Sequence, residues 1–414
     1  METLESAYDK LSREIKPLET EIVDIQSSVG RVVSHAVMAP CAHPRFSNSA
    51  MDGYVFSEAD LAPCETGCPV GGVIAAGQDE TPIVYPGAPV RIFTGAAIPP
   101  GGIAVRLQED IKQMADGKIS WANPVKKHAN IRLKGEDIVK GAKLLERGDM
   151  IDAPALLGLA NLRVQKVSVF RRPKIALATS GSELVAVDGP EPTRSQVVDG
   201  NRVFLTHQLR TDGDLIEVFP RLEDTTDAVE QFINNISSFD VVVCCGGMSV
   251  GQFDILGQKL RRLGHVMIDR VAVKPGKPLL IGHIGQTLFI GLPGNPLSTF
   301  VGYELFVRPL LRLLTGETKV FPGIQARPVA TPLTANGSRL NFLRAHENAD
   351  GVLSVARKQG SGALSGLFSC DRLILRPPNC RGLAAGAFAP SIGIGKESLR
   401  VTHDQFRAAY KSVS

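Results

Sequence analysis

The sequence has no excess of either charge: 46 Lys and Arg stand against 42 Asp and Glu, a net charge of +4 over 414 residues. Nucleic-acid-binding domains concentrate basic residues far more strongly, so charge argues against that class. It leaves room for a local basic pocket that takes a small anion. A disulfide framework is missing as well. Seven cysteines lie scattered, with Cys244 and Cys245 adjacent in an apolar run, the pattern of a reducing compartment. Cys64 and Cys68 in "CETGC" are the one close pair with a metal-ligand spacing. Without a second pair or a neighbouring His they read as two loop thiols. No run reaches the roughly 18 apolar residues of a membrane span. The opening "METLESAYDKLSREI" carries acids throughout and no apolar core of a signal peptide. The expectation is a cytoplasmic protein with neither membrane nor nucleic acid as partner.

What is present is ordinary globular composition, 43% hydrophobic and 21% charged, in a chain too long for one core. Leu4, Ala7, Leu11 and Ile15 recur at helical spacing before Pro17. Residues 37–141 alternate short apolar pieces ("VRIFTGA", "IAVRLQED") with Gly and Pro clusters, the punctuation of a small β-rich domain. "APALLGLANL", 153–162, reads as a helix with an early Pro. From "RRPKIALATSGSEL" onward, strands apolar on both faces alternate with helical stretches, one beginning near Asn201. That pattern predicts a largely parallel α/β sheet with helices on both sides over 171–318. Short strands and turns from 319 predict a terminal β domain.

In an open parallel sheet, ligands sit outside the carboxyl ends of the strands. Three glycine-rich segments fall there: "TSGSE" (179–183), "CCGGMSVGQFD" (244–254) and "GLPGNPLST" (291–299). Strand-to-helix turns of this kind bring backbone N–H groups onto a phosphate-like anion. Gly246, Gly247, Ser249 and Gly251 are the candidates from the second segment, and Pro293, Gly294, Asn295 and Ser298 from the third. None matches a P-loop or G-x-G-x-x-G. In "VAVKPGKP", Lys274 and Lys277 flank a Pro-Gly turn with Arg270 just upstream, and the group reads as an anion clamp. The candidate acids are Asp52, Asp137, Glu183, Asp199, Asp224 and Asp254, which would hold a divalent metal if several converge. Asp52 stands in "NSAMDGYVF", where Asp-Gly predicts a tight turn with Gly at φ > 0.

With these residues assembled, the chain resembles the molybdopterin molybdenumtransferase family, MoeA of bacteria and the C-terminal part of gephyrin. "NSAMDGYVF", "IFTGAAIPPG", "NIRLKGEDI", "RRPKIALATSGSEL", "CGGMSVGQFD", "VAVKPGKP", "GLPGNPLST" and "QGSGALSGL" stand in the family's order, from about residue 5 to 395. The resemblance implies a multidomain α/β plus β fold. An elongated linker and dimerisation domain would take 1–44 and 142–170, and a β-rich domain carrying "MDGY" 45–141. An α/β molybdopterin-binding domain of three layers would take 171–318, and a β-barrel-like domain 319–414. It implies insertion of molybdate into adenylylated molybdopterin with release of AMP and a requirement for Mg²⁺ or another divalent cation. By motif position it assigns catalytic roles to Asp52, Thr94, Asp137, Glu183, Asp254 and Lys274, and metal binding to Glu183, Asp224 and Asp254. Arg270, Lys277 and Ser361 would contact substrate. It implies a homodimer in which "MDGY" of one subunit faces the α/β domain of the other. A molybdopterin adenylyltransferase, apo-molybdoenzymes and their chaperones become candidate partners.

The chain departs from the family pattern at Ser182, where an acid is usual, at Ile103, at Gln252 and in "RGLAAGAFAPSIG" near the end. Ser182 and Ile103 favour a second reading, a non-catalytic relative that binds the pterin and aids delivery or assembly. A third, a molybdopterin adenylyltransferase, rests on the α/β segment alone and is disfavoured by the "MDGY" and "GEDI" segments.

Overall fold

The computed structural model describes residues 1–213, 215–248, 255–360, 362–395 and 398–413. They gather into two compact units, Ile22–Arg147 with Ile151–Val167, and Met1–Glu21 with Gly148–Met150 and Ser168–Ser414. Among the described residues no helix is long and apolar enough to cross a membrane.

The first of these units is built on short strands. A four-stranded sheet runs in the order Val73–Ile74, Val90–Ile92, Gly53–Phe56, Ala104–Leu107. Successive side chains of a strand point to opposite faces, and Gly53–Phe56 uses both. Val55 enters one apolar cluster with Val90, Ile92 and Val105, while Tyr54 and Phe56 enter another with Ile119 and Trp121. Cys64–Cys68, Ile119–Trp121 and Lys112–Gln113 make a second, three-stranded sheet. The two cysteines thus lie on a strand and not in a loop. "APALLGLAN" is helical over Ala153–Asn161, capped by the Asp152 carboxylate, which accepts from the Ala155 N–H at 2.8 Å.

The second unit holds the α/β domain. Its sheet comprises β1 (Lys174–Thr179), β2 (Leu215–Val218), β3 (Val241–Cys245), β4 (His265–Asp269), β5 (Leu280–Ile284) and β6 (Thr287–Leu292), in the order β2-β1-β3-β6-β5-β4. β2, β1, β3 and β6 are parallel, and β5 and β4 close one edge antiparallel. Ile175, Leu177, Val241 and Val243 face Leu205 and Leu209 of α1 (Gly200–Gly213). Ala176, Ala178, Val242 and Cys244 face α2 (Thr226–Asn235) and α3 (Ile255–Leu263) through Val229, Phe232, Leu256 and Leu260. The sheet is buried on both faces, the three-layer arrangement that continuous apolar runs dictate. The helix Leu4–Glu14 adds Leu4, Ala7, Tyr8 and Leu11 to the α1 side.

The terminal sheet runs Val273–Lys274, Leu340–Glu347, Arg372–Arg376, Phe388–Gly393, Ile324–Pro328. Its first strand comes from between β4 and β5, so the "VAVKPGKP" segment joins the α/β sheet to the terminal sheet. The unusual "AFAPSIG" pairs on both sides as Phe388–Gly393, so the sheet does not require a valine-rich strand there.

Candidate active site

The carboxyl ends of β1, β3 and β6 open on one cavity of about 320 Å³. Each end continues into a small-residue turn: Ser180–Gly181, Gly246–Gly247 and Pro293–Gly294. Gly246 has φ +93°, and a Cβ there would come within 2.2 Å of the Ser180 carbonyl oxygen. No other residue fits both constraints. Its N–H donates to the Leu292 carbonyl at 3.1 Å. This glycine therefore serves close approach of the backbone and not, as its loop type suggests, donation to an anion. The Gly294 carbonyl accepts from the Asn201 side chain at 2.7 Å, which ties the third turn to the start of α1.

Glu183 and Asp224 line this cavity, together with Asp199. The Ser180 hydroxyl donates to Asp224 Oδ1, which fixes that carboxylate toward the β1 turn. Asp199, 6% exposed, accepts the Arg202 N–H at 2.9 Å and so caps the first turn of α1. Cys245 also lines the cavity. Burial pushes its thiol up to about 12, so it is a neutral wall and not a nucleophile. Among the described residues, none that line the cavity is basic. Ser182 is exposed and outside the lining, whereas Glu183 beside it is in it. Among the described residues no group of three His, Cys, Asp or Glu side chains is assembled for a metal. Asp254 lies outside the described residues, as do Ser249, Gly251 and Ser361.

Asn295 and Ser298 take other positions. Asn295 caps the helix Pro296–Gly302, its side chain accepting from the Leu297 N–H at 3.3 Å, and Ser298 is buried in that helix. The basic segment folds back on itself through Arg270 N–H to Leu279 O at 2.8 Å and Val271 N–H to Lys277 O at 3.2 Å. Lys274 and Lys277 are exposed, and Pro278, next to Lys277, lines the cavity. Arg270 has φ +68° and its Nε stands 3.8 Å from Asp269 Oδ1.

The remaining residues belong to the β-rich unit. Asp52 Oδ1 accepts both the Thr94 N–H and the Thr94 hydroxyl at 2.7 Å. These two bonds hold the carboxyl below its usual range. Gly53 does not occupy the turn conformation that Asp-Gly suggests. It begins a strand, and a Cβ there would stand 1.8 Å from the Arg106 carbonyl oxygen, so the missing side chain is a sheet-packing requirement. Asp137 is exposed on a loop whose backbone is held by Asp137 N–H to His43 O at 3.2 Å and Lys134 N–H to Ser47 Oγ at 3.1 Å. Ser180 and Asn201 escaped sequence reasoning. Their positions flanking the first glycine turn and heading α1 were the available signal.

Three family models match consecutive parts of the chain: the MoeA N-terminal region (domain I and II) at residues 2–162, a probable molybdopterin binding domain at 176–313, and the MoeA C-terminal region (domain IV) at 326–390. The chain is 33% identical over 396 residues to the molybdopterin molybdenumtransferase of Haemophilus influenzae, covering 93% of this chain and 97% of that one. It is 34% identical over 311 residues to the enzyme of the same name from a Nostoc species, covering 73% and 71%. The crystal structure of a molybdopterin biosynthesis MoeA protein from Pyrococcus horikosii matches with a TM-score of 0.80 at 26% identity, over 95% of this chain and 99% of that one.

Proposed function

This chain belongs to the molybdopterin molybdenumtransferase family, and we propose that it carries out the reaction the family name describes: molybdate enters adenylylated molybdopterin, AMP leaves, and molybdenum cofactor results. The observation that carries this reading is the convergence of three glycine or proline turns with Glu183 and Asp224 on one cavity. The bare Cα of Gly294, with no atom nearer to a Cβ there than the Gly246 Cα at 3.7 Å, lets a substrate reach the backbone, and the acids stand beside it.

The substrates and the cavity are of like charge. A pyrophosphate-linked nucleotide and molybdate are anions, and among the described residues the lining offers three carboxylates and no base. Glu183 and Asp224, the latter with the Ser180 hydroxyl on it, are hard oxygen donors, the kind that suits Mg²⁺. Glu183 and Asp224, with Asp254, would hold the cation, which when bound supplies charge neutralisation on phosphate oxygens. Asp224 is oriented for this by Ser180. Arg270, Lys274 and Lys277 supply positive charge for the anionic group. Asp52, ionised and anchored by Thr94, is a fixed negative charge or proton acceptor. It acts, in this reading, on the cavity of a second copy in a homodimer. Seven free cysteines support a cytoplasmic location. An adenylyltransferase must supply the substrate, and apo-molybdoenzymes or their chaperones take the product.

The test is AMP release from adenylylated molybdopterin by the purified protein with Mg²⁺, with and without molybdate. Molybdate-dependent release that Glu183→Ala abolishes is the expected result. Nucleotide bound tightly without release would instead establish the non-catalytic carrier, the reading that Ser182 favours. The exposure of Ser182, outside the cavity lining, weighs against it.

A further inference from the structure

Cys64 and Cys68 lie at the ends of one strand, yet their sulfurs are 3.1 Å apart. The cause is a bulge. Cys64 pairs with Trp121 and Cys68 with Ile119, so the four-residue step from Cys64 to Cys68 faces a two-residue step on the partner strand. Glu65, Thr66 and Gly67 are pushed out of the ladder, with Gly67 at φ +83°. A regular strand would hold the two Cα atoms roughly 13 Å apart, beyond the reach of a disulfide, and the bulge folds the segment back far enough for the two sulfurs to meet at 3.1 Å. Glu65 and Thr66 are exposed and the two cysteines half-buried, so small reagents reach them. Cys244 and Cys245 are buried at 1% and 2% exposure and serve as internal controls.

We propose that Cys64 and Cys68 are a reversible dithiol–disulfide pair, oxidised by small-molecule disulfides. The Cys64 thiolate attacks one sulfur of the oxidant, forming a mixed disulfide and expelling one thiolate. Cys68 then gives its proton to solvent, attacks the Cys64 sulfur and expels the second. Two protein thiols become one disulfide, and two electrons pass to the oxidant, which leaves as two thiols. The order of attack follows from the pair's asymmetry. A hydrogen bond from Cys68 lowers the Cys64 thiol below its ordinary value, whereas burial pushes Cys68 up to about 11. Closure pins the bulge where both cysteines pack against Tyr54, Phe56 and Trp121, the apolar backing of the strand that follows Asp52.

The experiment treats the native full-length protein with oxidised glutathione, alkylates free thiols after denaturation, and cleaves with a glutamate-specific protease. Cleavage after Glu65 separates Cys64 from Cys68. In the oxidised protein the two fragments are expected to stay linked until dithiothreitol is added, with Cys244 and Cys245 alkylated throughout. Cys68→Ser is expected to retain one glutathione on Cys64 and form no link. Both thiols remaining alkylatable in the wild type would overturn the proposal. So would a persistent glutathione adduct without the internal link, or a link between two chains.

Discussion

The Asp52 carboxylate spends one oxygen on two donors of a single residue, the N–H and the hydroxyl of Thr94 at 2.7 Å each. Because both bonds favour the charged form, its pKa is lowered from the ordinary value, and at neutral pH it accepts protons or holds charge and does not donate. The acid limb of kcat/KM against pH should therefore lie below the ordinary aspartate range. Asp52→Ala should lower turnover on the order of 100-fold while leaving the thermal midpoint in place. Asp52→Asn, which retains an acceptor for Thr94, separates charge from geometry. A variant whose main effect is a lower melting temperature would make Asp52 a structural residue. Sequence could single out Asp52 but not Thr94 without the family resemblance, since the two meet only when Gly53–Phe56 pairs with Val90–Ile92. It misjudged Gly53 for the same reason. The Arg106 carbonyl that excludes a side chain there comes from a distant strand, and a turn rule sees only neighbours.

At the scale of elements, β1, β3 and β6 were legible because "KIALAT", "VVVCC" and "TLFIGL" are apolar on both faces, and no half-exposed strand or surface helix would be. The small-residue turns that end them were legible too. What local pattern conceals is the contact made across the fold: Val273–Lys274 joining the terminal sheet, and the bulge that makes a strand of "CETGC". Also concealed was the buried network that seats α1. Arg308, 1% exposed, donates from Nε to Asp212 Oδ2 at 2.7 Å, from Nη2 to Gln208 Oε1 at 3.1 Å, and to Glu304. The Tyr303 hydroxyl donates to the same Asp212 oxygen at 2.7 Å. Gln208 and Asp212 lie on α1, whose first turn carries Asn201 at the cavity. Arg308→Ala strands two buried carboxylates and should cost about 3–5 kcal/mol in urea unfolding. A loss below about 1 kcal/mol would mean that water or neighbouring groups already compensate the acids.

On the scale of the whole molecule, Asp52 and Thr94 belong to the β-rich unit and the acid-lined cavity to the other. A reaction that uses both needs the two to meet, and the proposed homodimer makes them meet between copies. That arrangement has a consequence which a self-contained chain lacks. Asp52→Ala and Glu183→Ala each inactivate every site in their own homodimers. In a mixed dimer, one cavity keeps Glu183 and receives an intact Asp52 from its neighbour, while the other site loses both. Equal co-expression makes half of the dimers mixed with half of their sites intact, so about a quarter of wild-type turnover should return for a two-fold symmetric dimer. The measurement is AMP release by the whole co-expressed pool, recovered through one tag common to both variants, with sedimentation to confirm a dimer. Activity that stays at the level of the single variants would show that each chain completes its own site. A chain that sediments as a monomer at assay concentration, and still turns over, would remove the second copy from the reaction altogether.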